Sequence, residues 1–157
     1  MGNTVQALLL FSQSWDCPVS GGVSGLYVGS LMSQLAKDTP PSSPNVKNYL
    51  DMALIGWQNA LAHHPHNEEA KIGASDTLKM LGKTDRALQG AREVLRLNPD
   101  SVAALKLMAS IQLGQGTLPL QTLEKLASRW SECTDLVTES LIGIAEEAIH
   151  RARPPIA

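Results

Sequence analysis

The side chains with most to offer chemically lie in His63-His64-Pro65-His66. Imidazoles this close in sequence suit a transition metal. Pro65 and the end of the preceding helix splay them, however, and no cysteine, aspartate or second His-x-His pair lies near enough in sequence to complete a four-ligand set. The ordinary reading puts His63 and His64 at a helix C-terminus, where partial positive charge is favoured. Cys17, in Trp15-Asp16-Cys17-Pro18, is a candidate thiol nucleophile, but the carboxylate beside it works against thiolate formation. Cys133 precedes a helix whose dipole favours the thiolate, with nothing else in support. Gly21-Gly22-Val23-Ser24-Gly25 has the glycines of a phosphate loop without its Lys-Ser/Thr ending or a preceding strand, and reads as a flexible connector. Glu146 and Glu147 sit on a solvated helix face, with Arg151 in reach of Glu147 at i+4. No nucleophile, base and orienting group fall together. The expectation is a protein without catalysis, metal or cofactor; a metal- or thiol-dependent enzyme using Cys17, His63, His64 and His66 is the least supported alternative.

Bulk properties narrow the classes further. The chain has 157 residues, 43% hydrophobic and 18% charged, enough apolar material for one packed domain. A net charge of −2 and 4% aromatic residues leave neither a basic stripe for phosphates nor a stacking platform for bases, so no nucleic acid is expected. No apolar run reaches the roughly 18 residues a membrane span requires. Val5–Phe11 is apolar but has no basic residue before it, unlike a secretory signal. Met1-Gly2-Asn3-Thr4-Val5-Gln6 departs from an acylation start at Gln6. Two distant cysteines make no disulfide framework, and a reducing, cytoplasmic setting is the expectation.

The elements that would position these groups are helices. Val5–Ser14 reads as a short helix; Pro18 and the glycines that follow interrupt regular structure; Leu26–Lys37 resumes a helical pattern through Leu26, Tyr27, Ser30, Leu31 and Leu35. Thr39–Pro44 is a loop, because its three prolines remove donors. Asn45–His63 places Val46, Leu50, Ala53, Leu54, Trp57, Ala60 and Leu61 on one face. Glu68–Leu81 follows, capped by Asn67 and closed by a left-handed Gly82. Asp85–Leu97 turns Ala87, Leu88, Ala91, Val94 and Leu95 inward, and Ser101–Leu113 ends at Gly114 and Gly116. Pro119–Trp130 packs through Leu120, Leu123, Leu126 and Ala127, and Thr134–Arg151 through Val137, Leu141, Ile144 and Ala148.

These helices repeat. Ala53, Leu61, Pro65 and Gly82 recur 34 residues later as Ala87, Leu95, Pro99 and Gly116, the period of a stacked-helix array. Small residues are needed where helices cross closely, and Ala53 with Ala87, and Ser75 with Ala109, hold such positions.

Residues 67–101 resemble a tetratricopeptide repeat: Gly82 between the helices, small Ala87, the Val94-Leu95 pair and terminal Asn98-Pro99-Asp100 all fit, while Lys71 stands where a large apolar residue is usual. Residues 45–67 resemble a second helix of the same unit, with Trp57 at the bulky position, its partner being Leu26–Lys37 displaced by the proline loop. Residues 102–116 resemble a first helix, and the register fails after Gly116. The resemblance implies an all-α fold of antiparallel helix-pair repeats, an α-solenoid. The implied organisation is variant N-terminal helices and Gly/Pro-rich loops at 1–44, repeats at 45–133, a capping helix at 134–152 and a disordered tail at 153–157.

It also implies a scaffold or adaptor that holds a protein or peptide partner against the first helix of each pair, on a concave face. Those positions are Glu69, Ile72, Asp76 and Lys79 in one repeat, and Ala103, Lys106, Ser110 and Leu113 in the next. The carboxylate clamp that grips chaperone tails is not matched. Only Lys106 is compatible, since Ile72, Asp76 and Ser110 replace its other residues, and Asp76 repels a carboxylate. A second reading makes the nearly uncharged first 36 residues an oligomer contact of an assembly subunit.

Overall fold

The computed structural model describes residues 21–117 and 119–129, with isolated helical positions at Gln6, Leu9, Leu10, Gln13, Gly143, Glu146 and His150. Every element among the described residues is a helix: α1 (Gly21–Asp38), α2 (Asn45–His63), α3 (Glu68–Met80), α4 (Thr84–Leu97), α5 (Val102–Gly114) and α6 (Leu120–Ser128). Gln6, Leu9, Leu10 and Gln13 lie within the expected Val5–Ser14 helix. Cys17, Cys133, the packing stripe of the 134–152 cap and the 153–157 tail lie outside the described residues. The chain divides into two compact units, 1–90 and 91–157, within α4.

The repeat period is visible in the backbone. Asn67 and Ser101, 34 residues apart, are both N-caps, accepting from the amides of Ala70 at 2.8 Å and Ala104 at 3.2 Å. Both those alanines are fully buried. Gly82 and Gly116 take φ of 75° and 74°, the left-handed turn that frees the helix to stop. In each turn the next amide reaches back to a carbonyl five residues earlier, Lys83 to Leu78 and Thr117 to Gln112. One local sequence signal is thus executed twice.

In the first unit α1 and α2 form the first hairpin, joined by the proline loop, and α3 packs on both. Here the expectation for the glycine segment is corrected. Gly21–Gly25 is not a connector but the opening of α1, and its glycines are what allow α1 to lie close on α2. A Cβ on Gly25 would fall 2.6 Å from the Ala60 amide nitrogen, and one on Gly56 would fall 2.5 Å from that of Gly29. Two backbones meet there, with no room for side chains between them. The buried face of α1 is correspondingly rotated from the expected one: Gly25, Val28, Gly29, Met32 and Ala36 point inward, while Tyr27 and Ser30 are exposed. Expectation weighed leucine and tyrosine above glycine; close packing reverses that order.

Trp57 is the centre of this unit. It is buried, and its ring fills the space left by Gly29 on one helix and Gly73 on another. The indole Nε1–H donates to Ser33 Oγ at 3.3 Å. Thr77 Oγ1 donates its one proton to the Gly73 carbonyl at 2.8 Å, so the 3.3 Å Ser33–Thr77 contact runs from Ser33 to Thr77. The resulting chain ties α2 to α1 and α1 to α3. At the other side of α3, buried Ser75 donates to the Lys71 carbonyl at 2.8 Å and packs against Gly90 of α4, which explains the small residue there.

In the second unit Leu105 and Ala109 of α5 pack with Leu123 and Leu126 of α6, joined by Leu95 and Val102. Leu120, expected inside, is 39% exposed at the helix start, and Thr122 is buried in its place. Arg129 and Asp100 form an ion pair of 2.8 Å.

Candidate functional site

The amphipathic patterns of α3 and α5 decide which side chains remain available. On α3, burial of Ala70, Ala74, Ser75, Thr77 and Leu78 turns Glu69, Ile72, Asp76 and Lys79 the other way, on the i, i+3, i+7, i+10 stripe. Glu69 is exposed; Ile72, Asp76 and Lys79 are half-buried.

The two charged groups at the end of that stripe are engaged within the protein. Lys37 Nζ of α1 lies 2.9 Å from Asp76 Oδ2, and Lys79 Nζ lies 3.1 Å from Oδ1. Burial works against the Asp76 carboxylate, but the Lys37 hydrogen bond and the Lys79 charge outweigh it, and its pKa falls below the ordinary value. Asp76 therefore helps to fix α1 on α3.

The structure adds α1 to the surface. Ser33 touches Thr77 and Lys37 touches Asp76, so this side of α1 borders α3. The exposed side of α1 carries Val23, 49% exposed, and Tyr27, 60% exposed, followed by Ser30 and Gln34. Sequence reasoning placed Tyr27 and Ser30 inside and missed Val23 and Lys37 as surface residues. The spacing 23, 27, 30, 34 is a helical stripe and was a usable signal, obscured by the glycines read as a break.

In the second unit Ala104, Leu105, Leu107, Ala109 and Ile111 are buried. Lys106, Ser110 and Leu113 are half-buried, Ala103 is exposed, and Ser110 Oγ donates to its own helix at the Leu107 carbonyl, 2.9 Å away. Among the described residues no three His, Cys, Asp or Glu side chains form a group able to hold a metal. His64 instead packs its ring against Gly22 at the start of α1, where a Cβ would lie 2.8 Å from Cδ2. No helix of the described residues is long and apolar enough to cross a membrane.

Helix pairs with recurrent caps, recurrent left-handed glycines and small residues at their crossings define the class of helical-hairpin repeat proteins. Residues 58–111 match the tetratricopeptide repeat family model, so this stretch of the chain is similar to a tetratricopeptide repeat. That match opens within α2 and ends within α5, enclosing the α3–α4 hairpin whose residues carry the repeat pattern. No curated protein matches the chain.

Proposed function

We propose that this protein is a non-catalytic adaptor that binds a segment of a partner protein along the available sides of its first-position helices. The observation that carries the reading is the division of α3: Ala70, Ala74, Ser75, Thr77 and Leu78 are buried, and Glu69, Ile72, Asp76 and Lys79 are left on the opposite stripe. Such a stripe mixes an aliphatic contact with both charge signs, the composition that suits an extended or helical segment laid along it. Lys106, Ser110 and Leu113 hold the corresponding stripe of α5.

Asp76 is a poor probe of this function because it ties α3 to α1, and Lys79 because it pairs with Asp76 within α3. Glu69, Ile72 and Lys106 are better. Affinity capture followed by mass spectrometry identifies the partner, and Ile72→Ala with Lys106→Glu is expected to weaken its binding at least tenfold with an unchanged far-UV circular dichroism spectrum. Unchanged partner binding in that folded double variant would overturn the assignment of these faces.

A further inference from the structure

Among the described residues, Leu10 is the most exposed large apolar side chain, at 67%, and Leu9 beside it is 57% exposed. Gln6 and Gln13, also helical and exposed, flank them. At about 100° per residue these four positions fall within roughly 100° of one helical face, so two leucines lie between two amides on a single stripe. We propose that this stripe is the contact of a symmetric dimer, with the two segments antiparallel about a two-fold axis between Leu9 and Leu10.

The occupant follows from symmetry and charge. In a two-fold contact each surface must complement its own copy. An antiparallel pairing centred between Leu9 and Leu10 sets each leucine against the other copy's neighbouring leucine and Gln6 against the other copy's Gln13. A glutamine amide both donates and accepts, so the two ends satisfy each other without a second residue type. At the usual helix separation of about 8–10 Å the facing amides are in reach. The sequence carries the same symmetry through Gln6-Ala-Leu-Leu-Leu-Phe-Ser-Gln13: small Ala7 maps onto small Ser12, and large apolar Leu8 onto Phe11. A contact with an unrelated protein imposes no such pattern.

Charge points the same way. Asp16 is the only charged side chain among residues 1–36, so two copies of the stripe meet without the self-repulsion of a single-sign patch. The leucines keep their exposure with the whole chain present, so the protein's own helices do not cover them. One short segment per partner is far smaller than a standard interface of about 800 Å² a side, which makes this a weak, reversible dimer.

Sedimentation equilibrium of the full chain at low salt is expected to show exchange between monomer and dimer, with dissociation in the micromolar range. Leu9→Glu with Leu10→Glu should weaken the dimer at least tenfold. Gln6→Lys with Gln13→Glu sets opposite charges face to face at both ends and should tighten it several-fold, a gain lost at high salt. Gln6→Glu with Gln13→Glu sets like charges face to face and should weaken it. Far-UV circular dichroism matching the parent shows that each variant is folded. A parallel pairing would make each position meet itself, so both charge variants would then weaken the dimer. A chain that stays monomeric, an assembly larger than two, a dimer indifferent to the leucine pair, or one that both charge variants weaken would each overturn the inference. Glu69, Ile72 and Lys106 lie outside this stripe, so the adaptor reading and the dimer stand or fall separately.

Discussion

Gly56 shows how little a residue type reveals until its neighbour is known. Mid-helix glycine ordinarily costs stability relative to alanine. Here an added Cβ would lie 2.5 Å from the Gly29 amide nitrogen and 2.9 Å from the Gly25 carbonyl oxygen, and neither backbone can yield without moving a whole helix. Gly56→Ala is therefore expected to destabilise the first unit by about 3 kcal/mol despite its better helix propensity. A urea titration followed at 222 nm measures this, and a stabilised variant would contradict the close crossing. Asp76 gives a second prediction at this scale. Its pKa is lowered in the folded protein, so its contribution is complete above the unfolded carboxylate value near pH 4 and is lost as pH falls through the lower folded value. Asp76→Asn should be less stable than the parent at pH 7 and lose less than the parent on going to pH 3. Equal acid sensitivity of the two proteins would show that the Lys37–Asp76–Lys79 group contributes nothing.

At the scale of the element, the turns report the repeat most cleanly. Gly82 has φ of 75° and an added Cβ would meet nothing within 4 Å, so replacing it strains the backbone without any clash. Gly82→Ala should cost about 1–2 kcal/mol, the left-handed penalty of an L-residue, and Gly82→Asn distinctly less. The measurement is again the urea midpoint; equal costs for the two would point to a contact rather than a conformational cause. These turns and the Asn67 and Ser101 caps were legible because they are local: cap, helix and left-handed glycine all lie within a few residues of one another. The face of α1 was not. Its leucines and Tyr27 outweigh glycine on any hydropathy pattern, yet the helix buries the side with least side chain because α2 presents Gly56 to it. The hydrogen-bond chain Trp57–Ser33–Thr77 was equally invisible, since it joins residues 24 and 44 apart in sequence.

For the whole molecule, the first 36 residues were read as a variant segment, with an oligomer contact as one role. Residues 21–36 are most of α1, half of the first hairpin, and they cover Trp57 and Ala53 of α2. Deleting residues 1–36 is therefore expected to collapse the α2–α3 packing of the first unit, seen as lost helicity and aggregation during size-exclusion chromatography. A folded, monomeric remainder would show that α1 is dispensable. The sequence by itself determined that the chain is built of helices, where most of them cap and turn, and that the pattern recurs every 34 residues, because these depend on interactions within one or two turns. Which side of α1 is inside, what Trp57 rests against and which charges Asp76 holds were decided only in three dimensions. Those outcomes depend on the shape a distant helix offers, and no local pattern encodes the shape of a partner.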